Sequence, residues 1–573
     1  MRWVFQEPDK ELVEKLQTEF DTSAAIAVTL ANRGITSLAA SRDFFEPAVG
    51  QLHNPFIMKN MDQAVARILT NIQSGRPIMV FGDYDVDGTT AASILYLSLT
   101  DFGGIVNTYI PHREHEGYGL SSKGIDFAAE QDIDLIITCD CGINAFEQIA
   151  YAREKSIDVI ITDHHIPDNR LPAAVAILNP NQSDCDYPFK GLCGAGVAFK
   201  LACGIGKKLN RPLKDLLSLL DLATLGTSAD MVPILDENRV IVSKGLELLN
   251  DDPRPGLRAL LKTSGLLDRD ITVGNLVFGV SPKINAAGRL GDANRSVELL
   301  TTKNKSLAAD LASKLDQENR RRQDIQEKVV NKALLKANAE SDLSRDRAIV
   351  LAEYGWHPGV IGIVASRIKE EFHRPTVIIA IGNDGIGKGS ARSIAGFDLY
   401  EALTEVSDHL QNYGGHPMAA GLTLSEEKLE DFKKAFLSFA GSNLSEGDME
   451  PRLKLDAEIQ LNDINNRFMR FLELLGPYGP GNMRPKFAAR NLKVAGNPRI
   501  VGNGNHIRFR VKQERTSFPA IGFNLSEHYE NLINLHLLIG RGRFRFIGFP
   551  LKIKGGTGSP VRAVAIFDNN KNV

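Results

Sequence analysis

Between about Met61 and Pro180 five short apolar runs recur, PIMVFG, IVNTYIP, DLIITCD, DVIITDHH and AAVAILNP, rich in Val and Ile, with helical stretches between several of them. Such runs are strands buried on both faces, and strands alternating with helices form a largely parallel sheet. Open α/β sheets bind ligands beyond the carboxyl ends of their strands. At those ends this chain places acids and histidines. The first run opens into VFGDYDVDGTT, with Asp83, Asp85 and Asp87 on a strand-to-helix turn, because the following TTAASILYLSL has helical spacing. DLIITCD ends in Asp140, DVIITDHH in Asp163, His164 and His165, and Asp230 sits in TSADMVP after a buried-looking helix.

Carboxylates this crowded repel unless solvent separates them or a divalent cation cancels the charge. Oxygen ligands suit Mg²⁺ or Mn²⁺. The run D-x-D-x-D-G also opens a calcium-binding EF-hand loop, but the twelfth position from Asp83 is Ile94 rather than the bidentate Glu that loop requires, and a strand precedes it. Taken singly, each group reads as a solvated turn or a hydrogen-bonded surface histidine. Jointly, mixed Asp and His ligands on one sheet edge are the apparatus of two-ion attack at phosphorus. Cys139 and Cys141 beside Asp140 pack rather than ligate, since soft thiolates do not suit these ions.

At 573 residues the chain is too long for one core. Residues 1–55 read as a helical lead-in, 56–303 as the parallel-sheet domain, and 304–345, charged and free of Pro and Gly, as a solvated connecting helix. A second α/β domain follows at 346–445, and the short β segments of 451–573 suggest an OB-like β-barrel. A net charge of -3 does not announce a nucleic-acid binder, so that reading rests on local patches. In a strand, residues two apart share a face, so Arg541, Arg543 and Arg545 form one basic ladder, and Arg508, Arg510 and Lys512 another, each able to track a phosphate backbone. The alternative is a solvated barrel face. No apolar run reaches the ~18 residues of a membrane span. The amphipathic start lacks a signal peptide's features, and five scattered cysteines fit reduced thiols, so the expected address is the cytoplasm.

The motifs DYDVDG, CDCG, DHH and SADMVP resemble the metal-binding motifs of the DHH phosphoesterase superfamily, and GSARSI with GGHPMAAG resembles its DHHA1 domain. PHREHEGYGL, KINAAGRL, WHPGVIGIVASR and PYGPGNMRPKF carry the resemblance further, to the RecJ family of single-strand-specific 5′-to-3′ exonucleases. One departure is PYGPGNMRP, where the family pattern has a Phe after the first Pro and another Pro after the Asn. The resemblance implies that Asp83, Asp85, Asp87, Asp140, His164 and Asp230 hold two divalent cations, Mn²⁺ or Mg²⁺, with Asp140 as the bridge. It implies that Arg289 and His416 approach the scissile phosphate, that His165 touches that phosphate or supports a ligand, and that Arg113, Ser390 and Arg392 grip a 5′ phosphate; Tyr118, in the EGYGL stretch beside Arg113, is placed to stack on the terminal base. The expected activity is release of 5′-mononucleotides from single-stranded DNA in repair and recombination, by a monomer working with a helicase and a single-strand-binding protein. Two rivals are a DHH phosphatase acting on pyrophosphate or short oligonucleotides, and a non-catalytic scaffold that binds nucleic acid.

Overall fold

The computed structural model describes residues 2–113, 116–290, 292–343 and 345–529, and the backbone alone of 544–545, 549–551 and 561–567. Arg2–Phe5 forms β1. The five apolar runs then form β2 (Pro77–Gly82), β3 (Ile105–Tyr109), β4 (Leu135–Cys139), β5 (Asp158–Thr162) and β6 (Ala176–Leu178), a parallel sheet in the order β3-β2-β4-β5-β6. Successive side chains leave a strand on opposite faces; in β2, β4, β5 and β6 both faces are dry, whereas β3, expected to be buried on both faces, is an edge strand with Ile105 and Asn107 exposed. Ile78, Val80, Leu135 and Ile137 join one buried cluster with helices Met61–Ser74, Val86–Asp101 and Gly194–Lys208. Met79, Phe81, Ile136 and Ile161 join a second with helices Ser122–Glu130 and Phe146–Glu154.

The charged segment is one helix, Lys305–Glu340, of 36 residues, about 54 Å long at 1.5 Å per residue. It is not merely solvated. Ala308, Leu311, Ala312 and Leu315 belong to the first domain's core, while Val329, Ala333 and Ala337 pack under the second domain. That second domain holds β7 (Ile349–Tyr354), β8 (Thr376–Ile381), β9 (Ile386–Arg392), β10 (Asn412–His416) and β11 (Ala419–Ser425), ordered β10-β11-β9-β8-β7 with only β7 and β8 parallel.

The last part contains β12 (Arg452–Leu455), β13 (Ala457–Glu458), β14 (Lys486–Ala489), β15 (Lys493–Val501), β16 (His506–Gln513) and β17 (Thr516–Gly522). β15, β16 and β17 form an antiparallel sheet, while β14 lies between β13 and Val561–Phe567 in another. The stretch KFAARNLKVAG is thus split between two sheets. Residues 1–55 are more than a lead-in. β1 pairs in parallel with β12, and Leu16, Phe20, Ile26 and Leu30 share a core with Ile459, Phe468, Phe487 and Phe509. Among the described residues no helix is long and apolar enough to cross a membrane.

Candidate metal centre and strand cleft

Strand pairing assembles the acidic edge. Just past the strand ends, Asp83 N donates to Cys139 O (3.2 Å), Asp140 N to Thr162 O (2.9 Å) and Asp163 N to Leu178 O (3.0 Å), so three acids stand side by side. Asp85 caps the helix Val86–Asp101 by accepting from Gly88 N at 2.9 Å. Asp87, in the first turn of that helix, accepts from Gly194 N (2.6 Å) and Ala195 N (2.9 Å) at the start of the helix Gly194–Lys208. A side chain at position 194 is impossible without movement, because a Cβ there would lie 2.6 Å from that of Asp140. Asp230 follows the last turn of the helix Leu220–Ala229.

Three groups of potential ligand atoms result, each within 4.8 Å: Asp83, Asp85 and Asp140; Asp140, His164 and His165; Asp87, His164 and Asp230. Asp140 belongs to two of them. Burial first, and then the neighbouring carboxylates, push Asp83 and Asp140 well above the usual carboxylate range, and Asp230 to about 8. Burial also pulls His164 below its ordinary value, leaving the imidazole neutral as a ligand must be. Asp83 Oδ1, Asp140 Oδ1 and His164 Nε2 are buried without hydrogen bonds, although the last two lie 3.0 Å apart. Buried polar atoms are normally satisfied. Hard oxygens with one imidazole, left unpaired and mutually repelling, fit Mn²⁺ or Mg²⁺.

His165 is held differently. Its Nδ1 donates to Asp163 Oδ1 at 2.7 Å, and its Nε2 faces the Tyr118 hydroxyl at 3.4 Å. Burial opposes charge on this ring, but the hydrogen bond and charge of Asp163 raise it to about 9. Asp163 also accepts from the backbone N–H groups of His164 (2.7 Å), His165 (3.1 Å) and Ile143 (3.0 Å). Asn181 and Asn179 donate to the carbonyls of His164 (2.6 Å) and His165 (2.8 Å). From sequence Asp163 was expected only among the potential ligands of the acidic edge, and neither asparagine was singled out. Asp163 was legible as the first letter of DHH; the asparagines lie 15 or more residues on, with only the tract ILNPNQ to mark them.

Tyr118 donates from its hydroxyl to Asp140 O at 2.9 Å and also lines a cleft of about 660 Å³ between the two α/β domains. Arg113, Arg289, Ser390 and Arg392 line the same cleft. Arg289 donates to Gly359 O across the domain boundary (2.8 Å), and burial with the nearby Arg113 guanidinium lowers it to about 10. Arg392 donates to Ser390 Oγ at 3.1 Å, and Arg113 lies over the Tyr84 ring at 5.2 Å. His416 is exposed at the end of β10. Gly414, two residues earlier, lines the cleft, whereas His416 does not.

On β16, Arg508, Arg510 and Lys512 are exposed while Ile507, Phe509 and Val511 are buried. β15 adds two cations unforeseen in the sequence reading: Arg499 stands opposite Arg508, and Lys493 opposite Lys512. Like charges directly opposite destabilise a sheet, and an anion laid across this face would relieve their repulsion. At its end the half-exposed Phe523 meets His506, ring centroids 5.1 Å apart. Of the other expected ladder, Arg541 and Arg543 lie outside the described residues, and for Arg545 only the backbone is described.

Residues 77–227 match the DHH family, N-terminal domain; 345–442 match the DHHA1 domain; 455–546 match the RecJ OB domain. The single-stranded-DNA-specific exonuclease RecJ of Bacillus subtilis (strain 168) is 38% identical over 534 residues, covering 93% of this chain and 67% of that protein. The RecJ of Haemophilus influenzae is 35% identical over 490 residues, 82% of this chain and 85% of that protein. Crystal structures of RecJ from Thermus thermophilus align with 99% of this chain: the Mn²⁺ complex at 29% identity, TM-score 0.78 and 79% of that chain, the Mg²⁺ complex at 28%, 0.72 and 78%. With three domain matches in order, and relatives of this identity covered over two thirds or more of their length, the chain belongs to the RecJ family.

Proposed function

We propose that this chain is a metal-dependent exonuclease that degrades single-stranded DNA from a 5′-phosphorylated end and releases 5′-mononucleotides. The observation that carries the reading is the cleft, which sets Arg113, Ser390 and Arg392 beyond the metal cluster, with Tyr118 between. Asp83, Asp85, Asp87, Asp140, His164 and Asp230 hold two divalent ions, Mn²⁺ or Mg²⁺. When bound, these ions supply Lewis acidity and offset the charge that develops on the phosphoryl oxygens.

The chain's own groups do the rest. Arg113 and Arg392 offer guanidinium forks, and Ser390 a hydroxyl, to the terminal phosphate. Arg289 and His416 approach the scissile phosphate. His165, protonated on both nitrogens while Asp163 holds Nδ1, presents Nε2–H to a phosphate oxygen. The ring of Tyr118, 54% exposed, gives the terminal base a face to stack on. The basic sheet of β15 and β16 tracks the strand farther out. One chain carries both walls of the cleft, which supports action as a monomer. A cleft that admits single strands also calls for a helicase and a single-strand-binding protein to supply them during repair and recombination. Five unpaired buried thiols support a reducing, cytoplasmic address.

The test is a digestion. With Mn²⁺, 5′-labelled single-stranded DNA is expected to yield labelled mononucleotide at once; with chelator, nothing; with blunt duplex, little. Label retained in long products until late, as 3′-end digestion gives, sinks the polarity. A second expectation concerns the basic sheet. Replacing Arg508, Arg510 and Lys512 by Ala is expected to flatten the salt dependence of strand binding by about 0.7 in log–log slope for each phosphate that is no longer neutralised. A titration across salt concentrations with unchanged slope means that this face is only solvated.

A further inference from the structure

The loop that leaves Asp230 does not stand alone. Met231 follows it in the left-handed region (φ 60°), and the chain then runs through Pro233 to Ile234, which is fully buried. Ile234 N donates to Pro480 O at 2.8 Å, a bond to a residue of the last domain. Gly479 and Gly481 press against the same loop. A Cβ on Gly479 would lie 2.5 Å from Ile234 Cγ1, and one on Gly481 3.1 Å from Leu235 Cδ1. Segment 474–482 is therefore a strap laid against the backbone just past Asp230.

Arg239, 2% exposed, fastens the strap. Its guanidinium donates to the carbonyls of Gly476 (2.5 Å), Leu475 (3.2 Å), Leu474 (3.4 Å) and Pro477 (3.4 Å), and to Phe44 O (2.6 Å) while lying 3.7 Å over the Phe44 ring. From inside the strap, the fully buried Asn482 donates to Leu475 O (2.7 Å) and Pro477 O (3.0 Å) and accepts from Arg33 Nε (2.8 Å). Next to Arg239, Asn238 donates to Pro233 O (2.9 Å) and to Gly191 O (2.5 Å). Gly191 lies in the loop leading to Gly194 and Ala195, whose N–H groups hold Asp87. Two carboxylates of one ligand group thus share a brace.

We infer that Arg239 is a positioning residue for the ion site of Asp87, His164 and Asp230: it locks strap 474–482 against Pro233–Leu235, so that the last domain and the N-terminal segment hold Asp230 in place. This rests on the reading of those three residues as ligands. The strap ties one ion site to the last domain, whereas among the described residues no hydrogen bond joins Asp83, Asp85 or Asp140 to that domain.

Mn²⁺ binding, followed by the electron paramagnetic resonance of the free ion, tests this without reference to turnover. In the wild type two ions are expected to bind. Arg239→Met, and separately Gly479→Ala, which leaves Arg239 intact, are expected to weaken one of the two by about 10- to 100-fold, as loss of a ligand-orienting group does. The other ion is expected to bind as before, and kcat to recover at high Mn²⁺ with KM for DNA unchanged. Asp230→Asn serves as the reference for losing that site. Equal wild-type affinities for both ions in a folded Gly479→Ala protein overturn the inference, as does parallel weakening of both ions. If Asp230→Asn itself leaves both ions bound as in the wild type, the ligand reading fails instead, and the strap has no ion site to serve.

Discussion

Asp140→Ala is expected to lower hydrolysis of single-stranded DNA by at least about 10³-fold while strand binding stays within a few-fold of wild type. Two of the three candidate ligand groups contain Asp140, so its loss is expected to disturb both ion positions, whereas under the proposed function strand affinity is spread over the cleft and the basic sheet. Unfolding is a poor rival explanation. Burial and three or more neighbouring acids already disfavour the ionised carboxylate, so removing it from the metal-free protein relieves repulsion. One cost opposes that relief: Asp140 sits at φ 61°, a left-handed conformation that Asp and Asn tolerate better than Ala. Asp140→Asn keeps that tolerance and is the companion variant. Metal-free melting temperatures near or above wild type, together with lost activity, are the expected pair. Activity within tenfold of wild type in either variant would remove Asp140 from the centre.

The second large effect concerns the end of the strand. Arg392→Ala is expected to cut the preference for a 5′-phosphate over a 5′-hydroxyl by roughly 10- to 100-fold, because hydrogen bonds to a charged group contribute about 1.5–3 kcal/mol each. Its guanidinium faces the cleft beside Ser390 Oγ, and none of the ion pairs among the described residues claims it. Rates on 5′-hydroxyl strands should change little, which separates lost recognition from general damage. Competition between the two substrates in one tube reads the ratio directly. An undiminished preference would place the terminal phosphate elsewhere, and Arg113 would be the next residue to replace.

What sequence could and could not reveal follows from how far each contact reaches along the chain. The acidic edge was legible because the strands announce themselves by short Val- and Ile-rich runs, and at the ends of β2, β4 and β5 stand acids. The shared core of Leu16, Phe20, Phe468 and Phe487 was not, since nothing in an amphipathic helix names a partner hundreds of residues away. For the same reason 304–345 read as a solvated connector: its buried Ala and Leu positions are spread among charges and serve two cores in turn. Gly479 and Gly481 stand in PYGPGN with no local sign of their neighbours, although their lack of a Cβ is what lets the strap approach Ile234 and Leu235. Arg239 offered no signal, because a guanidinium that binds carbonyls leaves no paired acid to find.

The parallel pairing of β1 with β12 also sets an order of events during synthesis. β1 leaves the ribosome hundreds of residues before its partner β12, and Arg33 leaves it 449 residues before the Asn482 that receives it. The parallel sheet and the long helix can close on their own, since domains fold as units, but the apolar helices near the amino end must wait. Over that interval Leu16, Phe20, Ile26 and Leu30 form an exposed adhesive stretch, and long-range pairing of this kind is slow. Loss of either partner, the segment from β1 to Phe45 or the segment from β12 to Tyr529, therefore leaves the same wound, and a chain without one of them inherits the stickiness of a nascent one.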